Sequence, residues 1–165
     1  MTDQPVPYSQ EAEEAVIGAV IVNPNAFLTI ASFLQEDDFF FVRHNYIWQA
    51  LQRLHERRET IDYLTLAQEL QALGWLELIG GPAYLTQVIS AAPTSTHAEV
   101  YGRIVERAAL RRKLMQAADE IKALATNEEL SIEKVTADAE THLFTVTDRQ
   151  IKREFVPMND AVADY

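Results

Sequence analysis

The sequence predicts an all-α protein: a compact bundle of short helices over residues 1–92, a long antiparallel helical hairpin over 97–146, and a linker with the start of a further helix over 147–165. Three observations predict it. Apolar residues recur at helical spacing in one segment after another, capping residues precede those segments, and almost no stretch alternates apolar and polar residues as a half-buried strand would.

Ser9 is an N-cap candidate for the first helix. Glu11, Glu13 and Glu14 follow in the first turns, where the helix dipole and unpaired N–H groups favour negative charge. Ala12, Val16, Ala19 and Val20 form its buried face. Asn23-Pro24 supplies a cap and an N1 proline for a short second helix through Phe27, Ile30, Phe33 and Leu34, which Gln35-Glu36-Asp37-Asp38 interrupts. Phe39-Phe40-Phe41, beside that acidic turn, reads as aromatic packing that anchors a loop. A third helix starts from about Asn45, with Ile47, Leu51 and Leu54 on one side and Arg53, Arg57 and Arg58 toward its end. Asp62 caps a fourth, whose stripe Leu66, Leu70, Leu73 stops at Gly74. Gly80-Gly81-Pro82 introduces a fifth, with Tyr84, Leu85, Val88 and Ile89.

The composition changes at Ala92-Pro93-Thr94-Ser95, the main internal boundary. Thr96 and Glu99 form a capping box before the longest periodic segment, over about 97–125. Within it Leu110, Leu114, Ala117, Ile121 and Leu124 make a seam suited to another helix. A short polar loop follows, and Ser131 caps a helix in which Ile132, Val135, Ala139, His142 and Val146 share a face; two such helices joined by a short loop form a hairpin. The tail from Thr147 is polar, breaks at Phe155-Val156-Pro157, and restarts a helix at Asn159 or Asp160 that ends at Tyr165, as a fragment would.

Composition excludes several function classes. The 165 residues, 48% of them hydrophobic, suit one globular core with an appendage. No cysteine is present, so disulfides and thiolate metal sites are ruled out, and a cytoplasmic location is the expectation. No export signal or membrane span is visible. The net charge is −11, no Lys or Arg precedes Arg43, and ten of the 14 basic residues lie between Arg103 and Arg153. Phosphate neutralisation needs clustered cations, so DNA binding is expected to be weak at most; Arg111-Arg112-Lys113 reads as a solvated helix face.

No catalytic or metal site is expected. His44, His55, His97 and His142 never stand at i and i+4, so His44 reads as a capping or packing residue and His142 as a core or interface residue. Ser9 and Thr96 lack a base partner and act as caps; Asp37-Asp38 is better read as a solvated turn than as an acid/base pair. The five glycines are Gly18, Gly74, Gly80, Gly81 and Gly102, the first lysine is Lys113, and no lysine follows a glycine, so no phosphate-binding loop is present. By contrast, the long helix carries apolar residues on more than one side: Ile104, Ala108, Leu110, Leu114 and Leu124, with Met115 between them. Such surplus predicts self-association through the hairpin.

The order of these signposts resembles the N-terminal domain of bacterial replicative helicases, the DnaB family. The resemblance is carried by Glu11-Ala12-Glu13 with Val16-Ile17-Gly18; Asp37-Asp38-Phe39-Phe40 with His44, Ile47 and Trp48; Ile61-Asp62 with Thr65-Leu66; Gly80-Gly81 with Tyr84-Leu85; Ala92-Pro93-Thr94; and Tyr101-Gly102-Arg103-Ile104-Val105 leading to Arg111-Arg112. It implies a helical head, a hairpin and the start of a linker helix to an ATPase domain. ATP and magnesium are implied for the full-length helicase, with no cofactor for this segment. The implied partners are a second copy, giving a dimer and, in the full-length helicase, a ring of three dimers; the helicase-binding domain of primase; and potentially a helicase loader. Matching the family's primase surface onto this sequence picks out Tyr84, Met115 and Ile121, with Glu11 as a polar neighbour. Two of these have a second reading, Ile121 in the hairpin seam and Tyr84 in the core. An all-helical adaptor unrelated to replication and a helical enzyme with an unrecognised carboxylate site are the alternatives.

Overall fold

The computed structural model describes residues 5–92 and 97–154, with side chains described as far as residue 148. Among the described residues there are seven α-helices and no strand: α1 Gln10–Val22, α2 Ala26–Ala31, α3 Val42–Glu56, α4 Tyr63–Ala72, α5 Gly81–Ala91, α6 Ala98–Thr126 and α7 Ile132–Glu154. A 3-10 turn over Glu36–Asp38 leads into the Phe39–Phe41 segment. The chain divides into two units, one reaching Ala109 and one beginning at Leu110, so α6 contributes to both.

The first unit is built on α1, whose residues from Ala15 to Ile21 are all buried. Ser9 Oγ accepts from the Ala12 N–H at 3.2 Å, the cap expected of it. Gly18 lets α5 come against α1: a Cβ there would clash with the Val88 carbonyl oxygen and lie 2.8 Å from Ala92 Cβ. Trp48, Leu51 and Leu54 of α3, Leu66 and Leu70 of α4, and Leu85 and Val88 of α5 complete the core, joined by Ala98 and Val105 of α6. Gly102 sits against Phe33, over whose ring the Arg103 guanidinium stacks at 3.7 Å. The bundle expected to end at residue 92 therefore draws part of its core from beyond the Pro93–Thr96 stretch, and that stretch, with the Thr96 cap, lies outside the described residues.

Helix ends match the sequence signals where the cap is local. Asp62 Oδ1 accepts from Thr65 N–H at 2.9 Å, and the Thr65 hydroxyl accepts from Asp62 N–H at 3.0 Å. Gly74, at φ 73°, follows the end of α4, and Gly80 and Gly81, at φ 107° and 74°, turn the chain into α5. Two starts differ from expectation. The second helix begins at Ala26 rather than behind an Asn23 cap, because the chain first makes a turn in which the Asn23 and Pro24 carbonyls accept from the Ala26 and Phe27 N–H groups, each at 3.0 Å. The third begins at Val42, three residues before Asn45, because the buried Glu13 carboxylate holds the backbone just ahead of it.

The second unit comprises α6 from Leu110 and α7, joined by a turn in which Asn127 Oδ1 accepts from the Glu129 N–H at 3.1 Å; Ser131 Oγ then caps α7 through Lys134 N–H at 3.3 Å. Glu120 of α6 and His142 of α7 meet at 2.6 Å, which sets the helices antiparallel. Several expectations for α7 are corrected. It runs to Glu154 rather than ending near 146, since residues 147–154 contain neither Gly nor Pro and are mostly good helix formers. His142 is partly exposed and paired with Glu120 rather than placed in a core, and Ile132, expected on the inward face, is 71% exposed in the first turn. The Phe155–Pro157 break and the cap at Asn159 or Asp160 lie outside the described residues.

Candidate functional site

A buried polar network occupies the head where α1, α3 and α5 converge. Glu13, on the otherwise apolar face of α1, is 1% exposed. Its carboxylate accepts from the Phe40 N–H at 2.7 Å, from the Phe41 N–H at 3.4 Å, and from His44 Nδ1 at 2.6 Å. On the other edge of the ring, His44 Nε2 meets the Tyr84 hydroxyl at 2.5 Å, and that hydroxyl donates to Glu14 Oε1 at 3.1 Å. Both oxygens of Glu13 and both ring nitrogens of His44 thus have polar partners, which is the hydrogen-bond accounting a buried site demands. Burial, and then the nearby Glu14 charge, push ionisation of the Tyr84 hydroxyl well above the ordinary tyrosine range. Tyr84 is thus a core residue with its hydroxyl committed, and it faces Arg43, whose guanidinium lies 4.2 Å from the ring centroid.

On the surface of the head, Tyr8 stacks on Phe40 with centroids 4.5 Å apart and planes 8° from parallel. Both stay substantially exposed, and so do Val6 and Val42. Elsewhere on the head, Arg57 and Arg53 bracket Glu69; the Arg57 hydrogen bond, helped by Arg53, holds the Glu69 carboxyl below its usual range.

The residues singled out for binding fall in different places. Glu11 is exposed in the first turn of α1. Met115 is 38% exposed and Ile121 half-buried on α6 in the second unit. Among the self-association residues, Ile104 and Ala108 lie on the first-unit part of α6, exposed and half-buried respectively. Leu114 is exposed in the second unit, and Leu110 and Leu124 are half-buried there. Among this unit's described side chains only Ala117 is buried, while Leu143 and Phe144 of α7 stand 48% and 61% exposed. The helical period missed those two because it was fitted to an inward stripe, which they do not share. Among the described residues, no group of three or more His, Asp or Glu could hold a metal ion.

The DnaB-like helicase N terminal domain family matches residues 5–107, well over half the chain. The chain belongs to this family. Curated relatives agree: the replicative DNA helicase DnaC of Bacillus subtilis is 32% identical over 98% of this chain and 36% of its own length. The replicative DNA helicase DnaB of Geobacillus stearothermophilus is 34% identical over 93% of this chain and 34% of its own. This DnaB-like domain therefore spans about a third of the length of the curated relatives it matches. The crystal structure of the N-terminal domain of DnaB helicase from Mycobacterium tuberculosis superimposes with a TM-score of 0.82 at 29% identity, covering 86% of this chain and 99% of that one. A DnaB-like replicative helicase, solved in a study of its interactions with primase, shares the fold at a TM-score of 0.71 and 20% identity over 84% of this chain and 31% of its own. Family membership sets aside the adaptor unrelated to replication.

Proposed function

We propose that this DnaB-like N-terminal domain is an assembly and docking module of a replicative helicase. It self-associates through its second unit, receives the helicase-binding domain of primase, and performs no catalysis within the segment. The observation that carries the reading is the second unit itself. From Leu110 onward, α6 and α7 bury one described side chain, Ala117, and leave Leu114, Met115, Leu143 and Phe144 exposed. A helix pair this poorly covered needs a partner surface, and a second copy supplies the same apolar residues in return. On this reading Ile104, Ala108, Leu110, Leu114 and Leu124 contribute to contacts between copies, and a ring of three dimers forms in the full-length helicase.

Primase docking is proposed on Met115 and Ile121 of the second unit; Glu11, exposed on the head, is proposed as a polar contact in its own right. Met115 is an adaptable apolar side chain suited to a transient interface. Tyr84, which the resemblance also picks out, is buried in the head with its hydroxyl donating to Glu14, so it is not counted among the contacting residues. ATP, magnesium and DNA engagement belong to other parts of the helicase, a loader is a further candidate partner, and the location is the cytoplasm. No helix among the described residues is long and apolar enough to cross a membrane.

The test of assembly is sedimentation equilibrium of the full chain beside Leu114→Asp/Phe144→Asp. The expected result is an associating wild type and a variant shifted toward monomer by about tenfold or more in dissociation constant, with unchanged helical circular dichroism. Equal association of the two proteins would remove the second unit as the interface.

A further inference from the structure

We propose that the ledge formed by Tyr8 and Phe40 on the head is a docking surface for a cationic amphipathic polypeptide segment of another protein. It rests on residues other than those of the self-association reading and shares only Glu11 with the primase reading, on which it does not depend. The first observation is the ledge itself. Tyr8 and Phe40 are stacked in parallel yet 52% and 39% exposed, and Val6 and Val42, each two residues along the chain from one of them, are exposed as well. Edge-on contacts to Phe41, with centroids 5.5 Å from Tyr8 and 5.1 Å from Phe40, make it one cluster rather than scattered side chains. Arg43 lies over the Phe41 ring at 5.6 Å, so the cluster has the tyrosine, phenylalanine and arginine content of an interface centre.

The second observation is rigidity. The backbone that presents Phe40 and Phe41 is bound through both N–H groups to the buried Glu13 carboxylate, and Glu13 is held in turn by His44. An exposed aromatic surface on a fixed backbone loses little conformational freedom when a partner arrives.

Charge selects the partner. Glu11 follows Tyr8 by three residues, and Glu36 and Asp37 precede Phe40 by four and three; Glu11 and Asp37 are exposed and Glu36 partly so. Arg43 is the one Lys or Arg before Arg53. This rim repels phosphate-bearing surfaces, whether nucleic acid or anionic lipid, and attracts a segment with apolar residues on one face and Lys or Arg on the other.

The experiment uses the full chain and a fluorescent Leu/Lys amphipathic peptide of about five helical turns, with a Leu/Glu peptide of the same pattern as control, followed by anisotropy at two salt concentrations. Saturable binding of the Leu/Lys peptide is expected, weakened about tenfold or more by Tyr8→Lys and by Phe40→Ala, and unchanged by Leu28→Ala, an exposed leucine elsewhere on the head. Glu11→Gln/Asp37→Asn should weaken binding and flatten its salt dependence. Tyr8→Lys alters an exposed side chain ahead of α1, so it stays interpretable if Phe40→Ala disturbs the loop. The proposal is overturned if the Leu/Glu peptide binds equally well, if the ledge variants bind like wild type, if Met115→Asp abolishes binding while Tyr8→Lys does not, or if an oligonucleotide or anionic vesicles bind the ledge more tightly than the peptide.

Discussion

Replacing Glu13 by Leu is the most informative perturbation of the head, because the side chain lies within a core yet is committed to polar partners. The substitution strips the acceptor from the part-buried Phe40 N–H at 2.7 Å and from His44 Nδ1 at 2.6 Å, the latter in a region shut off from water. Leaving hydrogen-bonding groups without their acceptor costs about 1–3 kcal/mol for each buried group and more where a charged acceptor is lost, so a loss of about 3–5 kcal/mol is expected. For a unit of roughly 100 residues, at about 4 °C per kcal/mol, that loss lowers the melting temperature by about 12–20 °C. Glu13→Gln, which keeps one acceptor oxygen, should fall between wild type and Glu13→Leu. The double variant Glu13→Leu/His44→Leu should cost less than the sum of its single changes, because the second change removes the imidazole that the first left unpaired. Thermal and guanidinium unfolding followed by circular dichroism measure this, at one fixed protein concentration, since self-association raises apparent stability by mass action. A loss below about 1 kcal/mol for Glu13→Leu, or strictly additive single changes, would refute the claim that this network ties α1 and α5 to the aromatic loop.

Two further outcomes follow from the head. Gly18→Ala places a methyl group against the Val88 carbonyl oxygen, and backbone cannot move aside as a flexible side chain does; a destabilisation of about 1–3 kcal/mol in guanidinium unfolding is expected. Tyr84 titrates harder in the folded state than in the unfolded chain because it is buried near Glu14. A raised folded value gives stability that is fully present below the ordinary tyrosine value of 10.0 and is lost as pH rises above it. Tyr84→Phe should therefore be less stable at neutral pH, where Glu14 and His44 lose a partner, yet show a shallower alkaline decline than wild type in melts from neutral to strongly alkaline pH.

What the sequence disclosed follows the range of the forces involved. Ser9, Asp62, Gly74 and Ser131 act through atoms within a few residues, so spacing alone located those helix ends. The start of α3 depends on Glu13, 27 residues from Phe40, and no local rule signals that bond. The same holds for the network: Glu13 looks like a first-turn carboxylate in a helix start, and only its place on the buried stripe Ala12, Val16, Ala19 hinted that it needed partners. His44 was legible as a residue that packs near the third helix, not as the bridge between Glu13 and Tyr84. On the hairpin, the heptad-like spacing from Leu110 to Leu124 marked an apolar seam. Whether each residue faced α7 or solvent was not encoded in the period, because period fixes a face and not its partner.

The central claim is that this chain docks primase without a motor of its own. It is tested most directly by sedimentation velocity of the full chain with the helicase-binding domain of primase, with Met115→Asp run in parallel. The account predicts a faster-sedimenting complex with a dissociation constant no weaker than about 10 µM, lost or weakened by about tenfold in Met115→Asp while its melting temperature stays near wild type. Absence of any complex at ~100 µM, or equal binding by wild type and Met115→Asp, would contradict it.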